Sequence, residues 1–459
     1  MEWNYLGHAG WLCVANGLRI LFDPLLDRTH HGGVFEVAPR RTIQLAALRP
    51  DFLVITHAHT DHFDLASLRR LVRTDPQMVV FTSDTFVGES CKRLGFSSVH
   101  VAAPLERVDL DGVRLVTSRS YTDHVTEWGM IVECANRVAW NMVDTVHRNA
   151  LDVRTTIDTA AQGLGLASLS ERVDLLLARW QPLCEIAPML GERTRFAGKA
   201  YNATLDELSA ARPTTVVPAS AGGRHVAPFE WLNRFSHPVP MKRFCEDIRK
   251  RIPGAVSYEG TPGARYVLHH DGTTTYEPRG ASQMVHLDEH VITTPPEQWR
   301  PVTVPDVIDH NPWQIPYETA STVIAEWLRD TLAPALSRAF VHMNHPAPLR
   351  FLLELRYGQR DEAYTLTVEG TGTHVAARYE SQWDALNVVS GSQLCAVIEG
   401  RACWGDVLLS GGLRAFERAY TVTEEGIDRA NVGVTFVYYG LGYDESFRRY
   451  IARELDTVG

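Results

Sequence analysis

Three histidines and an aspartate fall within six positions, His57-Ala58-His59-Thr60-Asp61-His62. His57 and His59 are two apart, so in extended backbone their side chains leave the same face. Asp61 and His62 are adjacent and point in different directions, so one short loop can feed two neighbouring metal ions. Imidazole and carboxylate together suit zinc or iron. The bland alternative is a solvated histidine-rich surface loop. It is disfavoured because such a cluster at a strand's end is costly to leave unpaired.

The flanking residues show how the cluster would be held. Phe52-Leu53-Val54-Ile55-Thr56 reads as a fully buried strand. Residues 65–73 read as a helix. The cluster therefore sits just past the C-terminal end of a strand, where open α/β sheets place their chemistry.

The chain has 459 residues and 45% hydrophobic content, enough for two to three domains with large cores. Its net charge of -10 argues against a general nucleic-acid or acidic-membrane binder. Residues 1–10 lack a basic segment followed by an apolar one, so no signal peptide is expected. No apolar run approaches the roughly 20 residues of a membrane span. Seven scattered cysteines form no Cys-x-x-Cys, Cys-x-His or Cys-x-x-His pair. This argues against a cysteine zinc site, a Rieske cluster or a disulfide framework, and a cytoplasmic location is expected.

Strands are predicted at 3–6, 10–14 and 19–22, with Asn16-Gly17 as a hairpin turn. Residues 79–82, 98–101, 108–110, 114–118, 130–134, 138–141 and 214–218 also read as strands. Residues 85–94 and 205–211 read as helices, whereas 151–166 and 170–177 carry no clear pattern. The polar loop 30–41 is either a lid or a solvated loop.

The pattern His57-x-His59-x-Asp61-His62, between a strand and a helix, resembles the metal motif of the metallo-β-lactamase superfamily. The opening YLGHAGWLCVANGLRILFDPLL resembles that superfamily's first hairpin. The resemblance implies an α/β fold, an αββα metallo-β-lactamase sandwich, over residues 1–286. It implies two metal ions, held first by His57, His59, Asp61 and His62. A third ligand of the first ion is implied just before the strand after Gly129, with His124 the first choice and Glu127 its rival. Asp144 is implied as the carboxylate bridging both ions, and Asp61 and Asp144 as the catalytic carboxylates. The last ligand follows strand 214–218: His225 is the candidate and His237 the alternative. Asp23 would accept a hydrogen bond from a ligating histidine, unless it only makes an Asp-Pro turn. Arg224 could meet an anionic substrate group, and His8 could approach the site or be a structural histidine.

Residues 287–316 are Pro-rich and read as a linker. Residues 317–459 read as an α+β accessory domain, structural or dimerising, so a homo-oligomer through it is one expectation. Within it, GSQLCAVIEGRACWGDVLLSGGLRAFERAY loosely resembles sterol-carrier-type domains. A helix is expected over 318–332, ended or kinked by Pro334. Strands are expected at 349–355, 363–368 and 374–379, and helices at 381–386, 391–399 and 446–455. His342 and His345 have no clear partners.

Two chemistries compete. Residues 139–144 resemble the Asn-x-Asn-Asp end of the CMP-N-acetylneuraminate hydroxylase-type branch, with Val143 where its second Asn would stand. The stretch from about Trp404 through VTFVYYGLGYDESFRRYIARELD resembles that branch's C-terminal part. This favours a non-haem diiron oxygenase acting on a small polar metabolite with O₂. The branch carries a Rieske cluster and this chain has none, so an external reductant is implied and the sugar-nucleotide substrate is not. The alternative is a dinuclear zinc hydrolase, or one using iron or manganese, that cleaves an ester, amide or phosphodiester. A metal-binding scaffold without catalysis is a third, less favoured reading.

Overall fold

The computed structural model describes all residues except 123–124, 164, 167–168, 170–171, 183, 192–194, 221, 289–303, 343–347, 359, 371, 419, 425, 430–434 and 458–459. His124, His345 and half of the linker therefore lie outside the described residues. By its internal contacts the chain divides into two units. The first comprises residues 1–183, 196–224 and 233–299; the second comprises 184–195, 225–232 and 300–459.

In the first unit, the strand Phe52–Ile55 is interior to an eight-stranded sheet and almost wholly buried. It pairs in parallel with Leu18–Phe22 on one side and Val79–Thr82 on the other. Apolar side chains on both faces explain its unbroken hydrophobic run. Glu2–Gly7 and Gly10–Ala15 form the antiparallel hairpin beyond Leu18–Phe22. Asn16 and Gly17, both at positive φ, make the next turn.

A seven-stranded sheet runs Arg107–Leu110, Val113–Thr117, Met130–Cys134, Arg137–Asn141, Val173–Ala178, Pro213–Pro218 and Val256–Ser257. Its alternation builds two cores. Leu115, Val132, Ala139, Leu175 and Val217 pack with Trp3, Trp11, Phe22 and Val54 of the first sheet. Val116, Ile131, Trp140, Leu176 and Val216 instead pack with Val153, Ile157, Leu205, Leu208, Phe244 and Ile248 of three helices. Successive side chains on a strand point to opposite faces, so two sheets sandwiched with outer helices follow from that pattern. Val173–Ala178 showed no alternation in sequence because every one of its residues is buried. Ala150–Asp158 is a helix capped by Asn149, which accepts from the backbone N–H groups of Leu151 and Asp152. The helix expected at 205–211 spans Gly198–Ala210.

In the second unit, a five-stranded sheet orders Gly372–Ala376, Asp361–Glu369, Leu349–Arg356, Ala385–Ser390 and Leu413–Glu417. One expectation is corrected. The helix expected over 381–386 is absent; the apolar, β-branched run that starts there is the strand Ala385–Ser390, parallel to Leu349–Arg356. Of the two outcomes expected at Pro334, the helix is distorted there and not ended. A π-turn, Leu328–Leu332, follows Tyr317–Trp327, and Pro334 then sits in the first turn of Ala333–Phe340. The widened turn accommodates a residue that has no N–H to give.

All seven cysteines are free thiols. Among the described residues no helix is long and apolar enough to cross a membrane.

Candidate metal centre

The loop from Thr56 to Asp64 is fixed at both ends. Asp64 caps the helix Leu65–Thr74 by accepting from the Ser67 N–H at 2.8 Å. Asp23, fully buried, lies beside Thr56 because their strands are parallel neighbours. It accepts from the Thr56 N–H and hydroxyl, both at 2.8 Å, and lies 3.1 Å from His62 Nδ1. This is the hydrogen bond expected of it. An Nδ1–H donated to Asp23 leaves the Nε2 lone pair of His62 facing the centre. The Thr56 hydroxyl lies 3.0 Å from His57 Nδ1 and orients that ring too.

Two sets of donor atoms converge. His57, His62 and Asp144 each bring one atom within 4.8 Å of the others, and so do His8, Asp61 and His62. His59 Nδ1 is 2.8 Å from His57 Nε2, which joins it to the first set. His62 Nε2 is 3.2 Å from Asp144 Oδ2 and 3.6 Å from Asp61 Oδ2. Donors around one tetrahedral ion at about 2.1 Å stand roughly 3.3 Å apart, so these spacings fit shared coordination. His62 Nε2 is buried between these two carboxylates, a position suited to a ligand of a cation.

Charge follows the same geometry. Burial and the neighbouring His62 and His59 hold His57 well below the ordinary histidine range. Burial alone would lower His62 as well, but Asp61, Asp144 and Asp23 outweigh it and hold the ring proton well above that range. Burial would raise Asp61, yet His62, His31 and His8 keep it ionised far below the usual carboxylate range. Glu127 is buried and hydrogen-bonded to the Ser120 hydroxyl; burial and the Asp144 charge push it up to about 7.

The other expected residues are placed as follows. Asp144 follows the strand Arg137–Asn141 and is the most open of these donors, its side chain 37% exposed. His225 is buried in the second unit, with Nε2 2.8 Å from the Leu409 carbonyl. His237 Nε2 is 2.6 Å from the Gly223 carbonyl. Arg224 is paired with buried Glu36 at 2.6 Å, and Arg28 and Arg40 bind the same carboxylate. Burial would raise Glu36, but the three guanidiniums outweigh it and bring it down to about 2.

The loop 30–41 is not merely a solvated loop. Thr29–His30 pairs with Phe35–Val37, His30 is buried, and its ring stacks on Phe35 at 5.3 Å. His31 comes within 3.7 Å of Asp61. His8, His30 and His31 are the neighbours that spacing along the chain could not assign. The signal for His8 was its setting between glycines, Gly7 and Gly10, in a hairpin turn. Non-glycine residues at positive φ gather here: His8, Asp23, His31 and Val143. Val143 at φ 51 stands where the resembled pattern has Asn, a residue that tolerates this conformation better.

Residues 2–147 match the family model described as the beta-lactamase superfamily domain. This stretch is a beta-lactamase superfamily domain. It contains both convergent donor sets and ends before His225. The match does not bear on the sterol-carrier resemblance of residues 317–459. A Mycolicibacterium smegmatis protein named for a Rieske 2Fe-2S cluster is 30% identical over 156 residues, 31% of this chain and 30% of that one. The chain thus matches under a third of that relative's length. CmlA, a diiron beta-hydroxylase from Streptomyces venezuelae, is similar over 56% of this chain and 52% of its own, at 17% identity and TM-score 0.38. An isothiocyanate hydrolase from Delia radicum gut bacteria is similar over 58% of this chain and 99% of its own, at 15% identity and TM-score 0.42.

Proposed function

We propose that this chain is a dinuclear metalloenzyme that oxidises a small polar molecule with O₂ at two irons. His57 and His59 would hold one ion, with Glu127 or His124 as its third ligand. Asp61 and His62 would hold the other, and Asp144 would lie between them. Bound there, the pair would supply Lewis-acid and redox chemistry.

The observation that carries the oxidative reading is Glu127. It adds a third carboxylate to Asp61 and Asp144, buried and within the field of Asp144 and His62. Anionic oxygen donors suit iron in its higher oxidation states better than they suit zinc. The cluster in the name of the Mycolicibacterium relative supports an iron setting. These 459 residues hold no Cys-x-His pair, so electrons would come from an external reductant.

The chain's own contribution is orientation and exclusion of water. Asp23 and Thr56 set the ring directions of His62 and His57. His30, His31 and Phe35 wall one side. The exposure of Asp144 makes its side the approach for substrate.

Hydrolysis is the second reading. It is favoured by the two convergent donor sets, which do not include Glu127 and are rich in imidazole. The test is metal analysis of protein produced with iron and zinc both available, with visible absorption and O₂ uptake. Two irons and an O₂-dependent spectral change support the proposal. Two zincs, no colour and esterase turnover would sink it.

A further inference from the structure

Resting on the iron-and-O₂ reading above, we propose that a row of phenol and indole rings carries oxidising equivalents from the centre to the surface when no substrate is bound. The row is Tyr5, Trp11, Tyr266, Tyr276 and Tyr258, and consecutive rings adjoin throughout. Between centroids, Tyr5 stacks on Trp11 at 4.4 Å and Trp11 lies 5.9 Å from Tyr266. Tyr266 stacks on Tyr276 at 5.2 Å, and Tyr276 on Tyr258 at 4.7 Å.

Strand pairing makes the row. Gly10–Ala15, Glu2–Gly7, Arg265–Leu268 and Thr274–Glu277 are successive neighbours out to one edge of the first sheet. Tyr5 is the cross-strand partner of Trp11, and Tyr266 that of Tyr276. Cross-strand partners leave a sheet on the same side, so the rings line one face. At the inner end, the Tyr5 hydroxyl donates to the His8 carbonyl at 2.9 Å, and His8 Nε2 is 2.8 Å from Asp61 Oδ2. Tyr5, Trp11 and Tyr266 are buried, whereas Tyr276 and Tyr258 at the outer end are partly exposed.

Phenol and indole give up one electron far more readily than the benzene ring of phenylalanine. The Tyr5 and Tyr266 hydroxyls donate to the backbone carbonyls of His8 and Glu259, which take no proton, so neither ring can settle as a neutral radical. The buried Trp11 Nε1–H has no hydrogen-bond partner, so the indole keeps its proton and passes the charge on. Tyr276 can settle. Its electron moves inward along the row to the oxidised centre, and its phenolic proton goes to water. A small thiol then returns one hydrogen atom to Tyr276, and two thiyl radicals couple to a disulfide. Two electrons delivered inward thus consume two thiols and release two protons. The competing role is packing alone, since cross-strand aromatic pairs stabilise any sheet.

The test exposes the iron-loaded full chain to hydrogen peroxide without substrate. Freeze-quenched electron paramagnetic resonance detects radicals, and peptide mass spectrometry locates the oxidised side chains. Wild type should form a tyrosyl radical and be oxidised at Tyr276 and Tyr258; metal-free protein in the same peroxide should not. Tyr266→Phe removes one hydroxyl and keeps the ring. It should bring oxidation of Tyr276 and Tyr258 down to the metal-free level and shift it to the loop from His57 to His62. Trp11→Phe should do the same. Trp3 is as deeply buried and lies 6.3 Å from Trp11, but it is not a member of the row, so Trp3→Phe should keep the wild-type pattern. Circular dichroism checks that each variant is folded. Unchanged oxidation of Tyr276 and Tyr258 in folded Tyr266→Phe would overturn the proposal. So would equal oxidation without iron, or its loss in folded Trp3→Phe. Those results leave the iron reading standing. Wild type that takes up no iron would overturn that reading and the proposal with it.

Discussion

Asp23→Asn isolates how the buried carboxylate governs the centre. Asp23 Oδ1 accepts from the Thr56 N–H, while Oδ2 serves both the Thr56 hydroxyl and His62 Nδ1. An asparagine has one acceptor oxygen. If that oxygen keeps the Thr56 N–H, the amide NH₂ faces His62 Nδ1. That nitrogen must then accept, and the neutral ring moves its hydrogen to Nε2. Nε2 is the atom 3.2 Å from Asp144 and 3.6 Å from Asp61, so the change removes the lone pair from the centre. If the amide turns over, a buried N–H meets the Thr56 N–H instead, at about 1–3 kcal/mol. Loss of a partner that orients a ligating histidine costs about 10–100-fold in metal affinity, or roughly 1.4–2.8 kcal/mol. Competition against a calibrated chelator measures the affinity, and circular dichroism checks the fold. A folded Asp23→Asn protein that binds within about twofold of wild type would refute the reasoning.

Other substitutions probe the remaining parts. Asp144→Ala should strip at least one ion or abolish activity, checked by metal analysis and turnover; full occupancy with full activity would remove Asp144 from the centre. Gly129→Ala should destabilise the first unit by about 1–3 kcal/mol, because a Cβ there would lie 2.5 Å from the Asn141 carbonyl oxygen; an unchanged melting temperature contradicts this. Glu185 is buried and its carboxyl is pushed up to about 7 by burial, against hydrogen bonds from its own and Cys184's backbone. Its folded pKa lies above the unfolded one, so stability falls as pH rises from about 4.5 to 7, by roughly 3 kcal/mol in all. Glu185→Gln should flatten that slope and raise stability at pH 8, read by denaturation across pH; a parallel slope rules the group out.

Local chemistry was legible in the sequence, and long-range pairing was not. The helix Thr85–Leu94 and the strands Val79–Thr82 and Met130–Cys134 match their predicted ranges because their apolar patterns end at clear turn residues. The loop from His57 to His62 declares itself because its donors are neighbours in the chain. Asp23 could be suspected because it ends a strand. Glu36 could not, since one of its partners, Arg224, lies 188 residues away. His30 was hidden for a similar reason: its polar loop folds into a hairpin that buries the ring against Phe35. Residues 385–390 misled because a short apolar run suits either a helix or a strand, and pairing with Leu349–Arg356 decided it.

The order of strands in the first sheet also bears on synthesis. The donors that converge at the centre all lie between His8 and Asp144. Yet the strand Glu2–Gly7, which leads into His8, has its outer neighbour in Arg265–Leu268, with Glu2 opposite Val267. A ribosome adding 5–20 residues per second needs about 6–24 s to go from Asp144 to Arg265. Throughout that interval the nascent chain holds every convergent donor but leaves one edge of its oldest strand unpaired, a template for wrong partners. Ion capture by the emerging chain would tie the loop from His57 to His62 to Asp144 before that sheet is complete. Metal supply during translation, and not only after it, would then govern how much of this protein escapes aggregation.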